Sequence, residues 1–255
     1  MKRDIYFSKP IINAAGSLGF SPDPRAGIPF DRFGAFITNP ISLRPRLPTP
    51  QPALIEFPGG FLLHTGLPNP GLPAVIKKHS ARWNRADLPI IPHLMADRPE
   101  ETAQMVRMLE GIENVMAVEL GFAPLLSNDI LLLTLDMCLG EVPLIFSLPM
   151  EQVLSLGSKV IEKGAVAISI ACPRGALVAS RDKNKLTTGR VYGPSIFPQA
   201  LNTVRAAAMS GIPVIGAGGV WTEKDAADML SAGAMAVEMD ASLWSPKEAG
   251  AAPQI

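Results

Sequence analysis

The amino-acid sequence predicts a single α/β domain over residues 1–255, a (β/α)8 TIM barrel, and three observations carry this prediction. The chain has 255 residues, which is the usual size of one such barrel. Hydrophobic residues make up 47% of the chain, enough to fill a large core. Short apolar runs alternate with helical patterns, which is typical of a parallel sheet with crossover helices.

Eight strands are predicted from these runs. Most of them are continuously apolar, as expected for strands that are buried on both faces. Their ranges are Ile11–Asn13, Ala35–Asn39, Ile90–Met95, Val115–Gly121, Pro143–Leu148, Ala165–Ala171, Pro213–Gly216 and Ala236–Met239. Prolines are numerous between Pro40 and Pro73, which predicts a long ordered loop after the second strand.

Four helices are predicted between the strands from signals at their ends. Asp97 is expected to cap a helix over Arg98–Leu109, and Thr222 to cap one over Thr222–Ala232. Glycines that favour helix ends follow the other two predicted helices, which are Met150–Lys163 and Pro198–Ser210.

Two features bear on the closure of the barrel. The main alternative is an open doubly wound sheet, but no Gly-x-Gly-x-x-Gly motif follows the first strand. Few residues remain after the eighth strand, and Leu243–Ile255 contains two prolines, so we expect a shortened C-terminal helix.

Charge and composition narrow the class of partner. The formal net charge is zero, which predicts a small-molecule ligand or another protein rather than nucleic acid or a membrane surface. The chain has no apolar run near the ~20 residues of a membrane helix, and Met1–Ile5 does not open a signal peptide. Cys138 and Cys172 are expected to be free thiols in the cytoplasm.

A glycine-rich segment, Gly216-Ala217-Gly218-Gly219, follows the seventh strand and precedes the helix that begins near Thr222. In TIM barrels the loops after strands seven and eight often bind a ligand phosphate. Glycine lets the backbone approach phosphate oxygens, and a helix N-terminus favours an anion. We therefore predict a phosphate site here and call it the glycine grip; alternatively, these glycines only permit a tight turn.

The glycine grip resembles the FMN-phosphate segment of the dihydroorotate dehydrogenase family, and the resemblance runs from about Pro10 to Ser242. Asn13-Ala14-Ala15-Gly16 resembles that family's turn against the flavin. Pro58-Gly59-Gly60 with Gly66-Leu67-Pro68-Asn69 resembles its loop beside the orotate site, and Gly193-Pro194 a segment near the flavin phosphate. The resemblance implies a cytoplasmic CH–CH oxidoreductase of pyrimidine biosynthesis. It also implies FMN held by Ala14, Ala15, Gly16, Gly193, Gly216, Gly218 and Gly219, and a substrate beside Gly66, Leu67 and Asn69.

The positions that carry the family's catalysis differ in this chain. The family has a cysteine or serine base on the loop after the fourth strand, whereas here Glu119-Leu120-Gly121-Phe122-Ala123-Pro124 has no thiol or hydroxyl before Ser127. The family's lysines and asparagines for flavin and orotate fall at Asn39, Leu63, His93, Ser147 and Ile170-Ala171. These losses cluster on one function, which is binding and deprotonating dihydroorotate.

The glycine grip also differs from the family pattern. Met239-Asp240-Ala241 stands after the eighth strand where the family has Val-Gly-Thr. A carboxylate beside a phosphate dianion is repelled by about 1 kcal/mol at 4 Å in water, and by more when both are desolvated. Arg190 is a candidate to compensate this charge.

His93, at the carboxyl end of the third strand, is the candidate catalytic residue because imidazole titrates near neutrality. Carboxylates on or beside strands are Glu119, Glu238 and Asp240, whereas His64 and Arg174 are expected to be solvent-facing loop residues. Cys172 is expected to be a buried or half-buried thiol, and no ligand spacing predicts a metal site.

Three hypotheses stay open at this point. The first is a flavoprotein of this family with an altered substrate or without classical dihydroorotate oxidation. The second is a non-catalytic subunit or scaffold that works as a homodimer or with a partner subunit. The third is a barrel enzyme without flavin that acts through His93 on a phosphorylated or pterin-like ligand. The sequence leaves open whether the chain is an enzyme.

Overall fold

The computed structural model of the protein describes residues 5–124, 126–178 and 186–244. The strands within these residues are β1 (Ile11–Asn13), β2 (Phe36–Ile37), β3 (Ala53–Phe57), β4 (Gly60–His64), β5 (Ile90–Ile91), β6 (His93–Ala96), β7 (Val118–Phe122), β8 (Leu144–Leu148), β9 (Ala167–Ile170), β10 (Arg174–Val178), β11 (Leu186–Tyr192), β12 (Val214–Gly216) and β13 (Ala236–Met239). The α-helices are α1 (Leu72–Trp83), α2 (Pro99–Leu109), α3 (Asn128–Cys138), α4 (Met150–Lys163), α5 (Phe197–Met209) and α6 (Glu223–Ser231).

Seven strands form one curled parallel sheet in the order β1-β13-β12-β9-β8-β7-β6. β2 pairs with β5 in parallel, and the Asn13 side chain bonds both the N–H and the carbonyl of Ile37 in β2, at 3.0 and 2.7 Å. All eight predicted strands are present, which confirms the α/β class and the parallel sheet. Pro92 divides the third one into β5 and β6, because proline has no N–H to donate to a ladder.

The helix predictions are confirmed except at one cap. α4 has the predicted bounds and ends at Gly164, whose φ is 128°. Thr222 caps α6 in a reciprocal box with Asp225. The prediction that Asp97 caps α2 is wrong: the helix starts one residue later, so Arg98 takes the cap position and no side chain caps it. α1 and α3 were not predicted.

A second, antiparallel sheet has the strand order β10-β11-β4-β3 and was also not predicted. β3 and β4 form a hairpin within the proline-rich segment, and Pro58-Gly59 is its turn, where Gly59 has a φ of 88°. β11 pairs with β4 and places Arg190 opposite Leu63. The segment is ordered, as expected, but ten of its residues form the strands β3 and β4 rather than loop.

Two apolar layers cover the two faces of the curled sheet. The larger layer lies between the sheet and its helices. The smaller layer fills the inner face and consists of side chains one residue out of phase with the outer ones, such as Ile12, Ile37, Ile145 and Ile215. This inner layer is the floor on which the candidate site stands.

Within the described ranges, none of the helices is long and apolar enough to cross a membrane. After β13 the chain forms a short 3-10 helix over Ala241–Trp244. The predicted shortening of the C-terminal helix concerns residues 245–255, which lie outside the described residues.

Candidate functional site

A buried polar layer lies on the inner face of the sheet, directly above the apolar floor. Side chains two positions apart in a strand point to the same face of the sheet. In four places an inward-facing apolar residue is followed, two positions later, by an inward-facing polar one. The four inward pairs are Ile91 and His93, Ala117 and Glu119, Ala167 and Ser169, and Ala236 and Glu238. The four polar members are at most 5% exposed, and they face one another at the carboxyl ends of their strands.

Glu119 on β7 is the centre of this layer. Its Oε2 accepts a 2.6 Å hydrogen bond from His93 Nδ1, and its Oε1 accepts one from the Ser169 hydroxyl. Burial opposes ionisation of Glu119, but the charge of His93 and hydrogen bonds from His93, Ser169 and Glu238 outweigh it and lower the pKa of Glu119. Glu119 is therefore a carboxylate at neutral pH, held ionised by its neighbours.

Glu238 on β13 is the opposite case. Burial raises the pKa of Glu238 well above its usual value, and the negative charges of Glu119 and Asp240 raise it further. As the protonated partner, Glu238 donates a hydrogen bond to Glu119. Its Oε1 has no hydrogen-bond partner among the described residues. The two glutamates thus share one negative charge and one proton.

The ring of His93 has a defined orientation. Because its Nδ1 faces a carboxylate oxygen, Nδ1 carries a proton and Nε2 is the nitrogen that can exchange one. The Nε2 atom of His93 lies over Gly121, which follows Glu119 by two residues in β7. A Cβ at position 121 would overlap this Nε2 atom. Glycine at the position that ends the family's base-bearing strand therefore makes room for this imidazole.

An arginine and three aromatic rings lie beside this layer. Arg190 bonds the Tyr192 hydroxyl, and its Nη1 lies 3.6 Å from where a Cβ of Gly16 would be. Tyr192 stacks on Phe61, with ring centroids 5.4 Å apart, and also contacts Trp244 at 5.3 Å. The sequence did not indicate this cluster, because its members come together only through the unpredicted β11–β4 pairing.

Two of the three glycines in the glycine grip, Gly218 and Gly219, have a structural reason to be glycine. Gly218 and Gly219 have φ values of 101° and 71°, which favour glycine. A Cβ at Gly218 would contact Ile196 at 3.2 Å, and one at Gly219 would overlap the backbone of Phe197 at the start of α5. In the described part of the chain, the N–H groups of Gly218 and Gly219 donate to no hydrogen bond. They are the donors that a ligand oxygen would meet.

The other half of the grip does not fit the FMN phosphate that the resemblance implies. Asp240 is 8% exposed, and its Oδ1 accepts the N–H of Ala241, one of the amides at the end of β13. Arg190 does not compensate it: its guanidinium bonds Tyr192, and only main-chain amides lower the pKa of Asp240. FMN therefore stays a prediction.

The predicted substrate residue Asn69 has a clear structural role. Asn69 shapes its own loop: its Oδ1 accepts from the N–H groups of Ser42 and Gly71, and its Nδ2 donates to the carbonyl of Leu67. Leu67 itself has a φ of 54°, uncommon outside glycine. Gly66 and Leu67 approach no other predicted site residue in these contacts, so a substrate role for this loop stays a prediction.

The thiol prediction is confirmed for Cys172, which is half-buried and bonds the carbonyl of Val191. Burial raises the pKa of Cys172 to about 12, so it remains a thiol at neutral pH. Arg174 is exposed at the start of β10, and His64 is half-buried at the end of β4. Ser127 caps α3: its hydroxyl accepts the N–H of Ile130.

Comparison with known proteins agrees with the resemblance. The family described as dihydroorotate dehydrogenase matches residues 3–122 and 163–249 of this chain. Similar relatives are named dihydroorotate dehydrogenase B (NAD(+)), catalytic subunit. The protein from Pelobacter propionicus is 29% identical, and the match covers 90% of this chain and 82% of the relative. The protein from Geotalea uraniireducens is 26% identical, and the match covers 92% of this chain and 83% of the relative. The family match is interrupted directly after Phe122, at the loop where the family carries its base.

Proposed function

Because this chain belongs to the dihydroorotate dehydrogenase family, we propose that it is an oxidoreductase-like family member with an altered substrate, in which His93 and Glu119 replace the missing loop base. The observation that carries the proposal is the 2.6 Å contact between His93 Nδ1 and Glu119 Oε2. A carboxylate in this position fixes the tautomer of the imidazole and supports positive charge when Nε2 takes a proton.

Chemically, the site would move one proton between His93 Nε2 and a bound small molecule. Glu119 stays ionised and orients the ring, while Ser169 and Glu238 complete the hydrogen bonds of Glu119. Protonated Glu238 adds an acid beside the pair without adding a second charge. Nothing in this scheme needs a thiol or hydroxyl on the loop after β7.

The proposal of an altered substrate rests on charge and on lost ligands. Dihydroorotate carries a carboxylate, and this site presents the buried carboxyl groups of Glu119, Glu238 and Asp240. An anionic substrate would be repelled, whereas a neutral or cationic one would not. Leu63 and Asn39 stand where the resemblance implies polar and basic contacts, and Asn39 is occupied in bonding Gly19.

We predict that His93 depends on Gly121. In Gly121→Ala the new methyl group overlaps Nε2, so the ring must leave Glu119, and the His93 ¹⁵N signals should lose the Nδ1–H tautomer pattern. Histidine side-chain NMR of the wild type and Gly121→Ala measures the His93 tautomer. The chain has three histidines, and the signals that are lost in His93→Gln are those of His93. Gly111→Ala is the control for a glycine substitution away from the site, because no atom lies near the Cβ position of Gly111.

Two outcomes would contradict the proposal. One is an unchanged His93 tautomer in Gly121→Ala. The other is dihydroorotate oxidation by the wild-type protein that persists in His93→Gln, since the substrate would then be the family's own and its base would lie elsewhere.

We also propose that the curled sheet closes into the predicted (β/α)8 barrel. The Asn13 amide joins β1 to β2, β2 pairs with β5, and β5 continues through Pro92 into β6. An isolated bridge joins Ile90 to Val115, just before β7. These contacts would link the two edges of the seven-stranded sheet. The single-domain organisation and the cytoplasmic location stay predictions.

A role as a subunit of an assembly is the second candidate, and an apolar stripe on α3 favours it. Ile130, Leu133 and Met137 follow the three- and four-residue spacing of one helix face and are 36 to 48% exposed. Leu154 on neighbouring α4 is 52% exposed. Such a patch is typical of a protein interface, and the relatives are named as catalytic subunits.

We predict that the purified chain self-associates through this stripe. Leu133→Lys should raise the dissociation constant of the dimer by about tenfold or more, because it buries a charge at the contact. Light scattering after size exclusion, over a concentration series, measures it. Leu54→Lys, at an exposed leucine of β3, is the control. A wild-type monomer at all concentrations would remove the homodimer form of this role.

A further inference from the structure

We propose that Asp240 is a built-in anion that fills the β13 half of the glycine grip, so that this site excludes ligands with a phosphate dianion and accepts an uncharged group such as a hydroxyl. This inference concerns ligand selection and does not depend on His93 acting as a base. It assigns Asp240 as a specificity-determining residue.

The first step is the position of Asp240. In the β12–β13 ladder Gly216 is opposite Val237, so the glycine grip and Asp240 follow the ends of two adjacent parallel strands. Asp240 is buried, and its carboxylate accepts the N–H of Ala241. A carboxylate oxygen therefore already occupies a main-chain donor at the end of β13, where a ligand oxygen would otherwise bind.

The second step is the helix that follows the grip. The Oδ2 of Asp225 accepts the N–H groups of Trp221 and Thr222, at 3.0 and 2.9 Å. The donors at the start of α6 are thus satisfied by a second internal carboxylate. Within the described grip, the N–H groups of Gly218 and Gly219 donate to no hydrogen bond.

The third step is the charge balance. No ion pair of Asp240 occurs among the described residues, and the candidate Arg190 bonds Tyr192. Two like charges 4 Å apart cost about 4 kcal/mol at the effective dielectric of a protein site, more than two neutral N–H donors return. A hydroxyl or carbonyl oxygen would use the same two donors without this repulsion.

FMN and riboflavin test the inference, because they differ only in a phosphate against a terminal hydroxyl. In flavin fluorescence titrations near pH 8 we expect the wild-type protein to bind riboflavin at least as tightly as FMN. Asp240→Asn, a neutral isostere, should tighten FMN by about tenfold or more and change riboflavin less than about twofold. Glu223→Gln removes an exposed carboxylate from the first turn of α6 and should leave both affinities unchanged.

Sulfate is the second probe, because it stays a dianion across the pH range and needs no flavin site. Burial raises the pKa of Asp240 to about 6, so its charge is present above that pH. Sulfate binding is followed by the amide NMR signals of Gly218 and Gly219. In the wild type the affinity for sulfate should fall about tenfold as pH rises through about 6, whereas Asp240→Asn should show no such loss. Wild-type binding of FMN tenfold tighter than riboflavin, or sulfate binding equal in wild type and Asp240→Asn near pH 8, would overturn the inference. So would an Asp240→Asn protein that gains affinity for neither probe.

Discussion

Replacing Glu119 with alanine should lower the free energy of unfolding by roughly 3 to 5 kcal/mol, the usual cost of breaking a buried charged pair. The change removes the acceptor for His93 Nδ1 and for the Ser169 hydroxyl, and it leaves Glu238 without its partner. All of these groups are at least 95% buried, so water cannot replace the lost bonds without entering the core. Urea denaturation followed by circular dichroism measures the loss.

Two variants separate the network from the volume that alanine removes. Glu119→Gln keeps the shape and one acceptor oxygen, so it should cost clearly less than Glu119→Ala. Glu56→Ala removes an exposed strand glutamate on β3 and should change stability by less than about 0.5 kcal/mol. A loss below about 1 kcal/mol in Glu119→Ala would mean that the polar layer is not closed as described.

The polar layer also shows what the sequence could not predict. Glu119, His93 and Glu238 were each visible as polar residues on or beside predicted strands. Their meeting depends on the register of three different strand pairs, and register is a tertiary property that a run of apolar residues does not encode. Ser169 carried no signal, because a serine within an apolar strand is ordinarily satisfied by backbone.

The fold was more predictable than the site for a physical reason. Strands such as Ala236–Met239 and helices such as α6 are set by local patterns, namely apolar runs and a Thr222 cap. The hairpins β3–β4 and β10–β11 lack such a pattern: the first lies among prolines, and the second pairs with a strand more than a hundred residues earlier. The aromatic cluster depends on those hairpins and was missed with them, and although Arg190 was a candidate from the sequence, its bond to Tyr192 was not predicted.

The proton shared by the two glutamates should appear as a pH dependence of stability. The pKa of Glu238 is raised in the folded protein, so above the usual glutamate pKa of 4.5 the unfolded chain loses this proton while the folded chain keeps it. Stability therefore falls as pH rises, by up to about 1.4 kcal/mol per pH unit until the folded group ionises. Glu238→Gln cannot ionise and keeps a donor for Glu119, so its advantage over wild type should grow with pH from about 5 upward.

Comparing these two proteins at each pH removes the contributions that they share. The raised pKa of Asp240 also makes the protein less stable as pH rises, between pH 3.8 and about pH 6. The pKa of Glu119 is lowered, so Glu119 loses its stabilising effect only as pH falls below 4.5. Because the charge of Glu119 helps to raise the pKa of Glu238, the advantage of Glu238→Gln should stop growing at a lower pH when both pH series are repeated in a Glu119→Gln background. Parallel stability curves for wild type and Glu238→Gln would show that Glu238 is already ionised in the fold, and the acid beside His93 would then be absent at neutral pH.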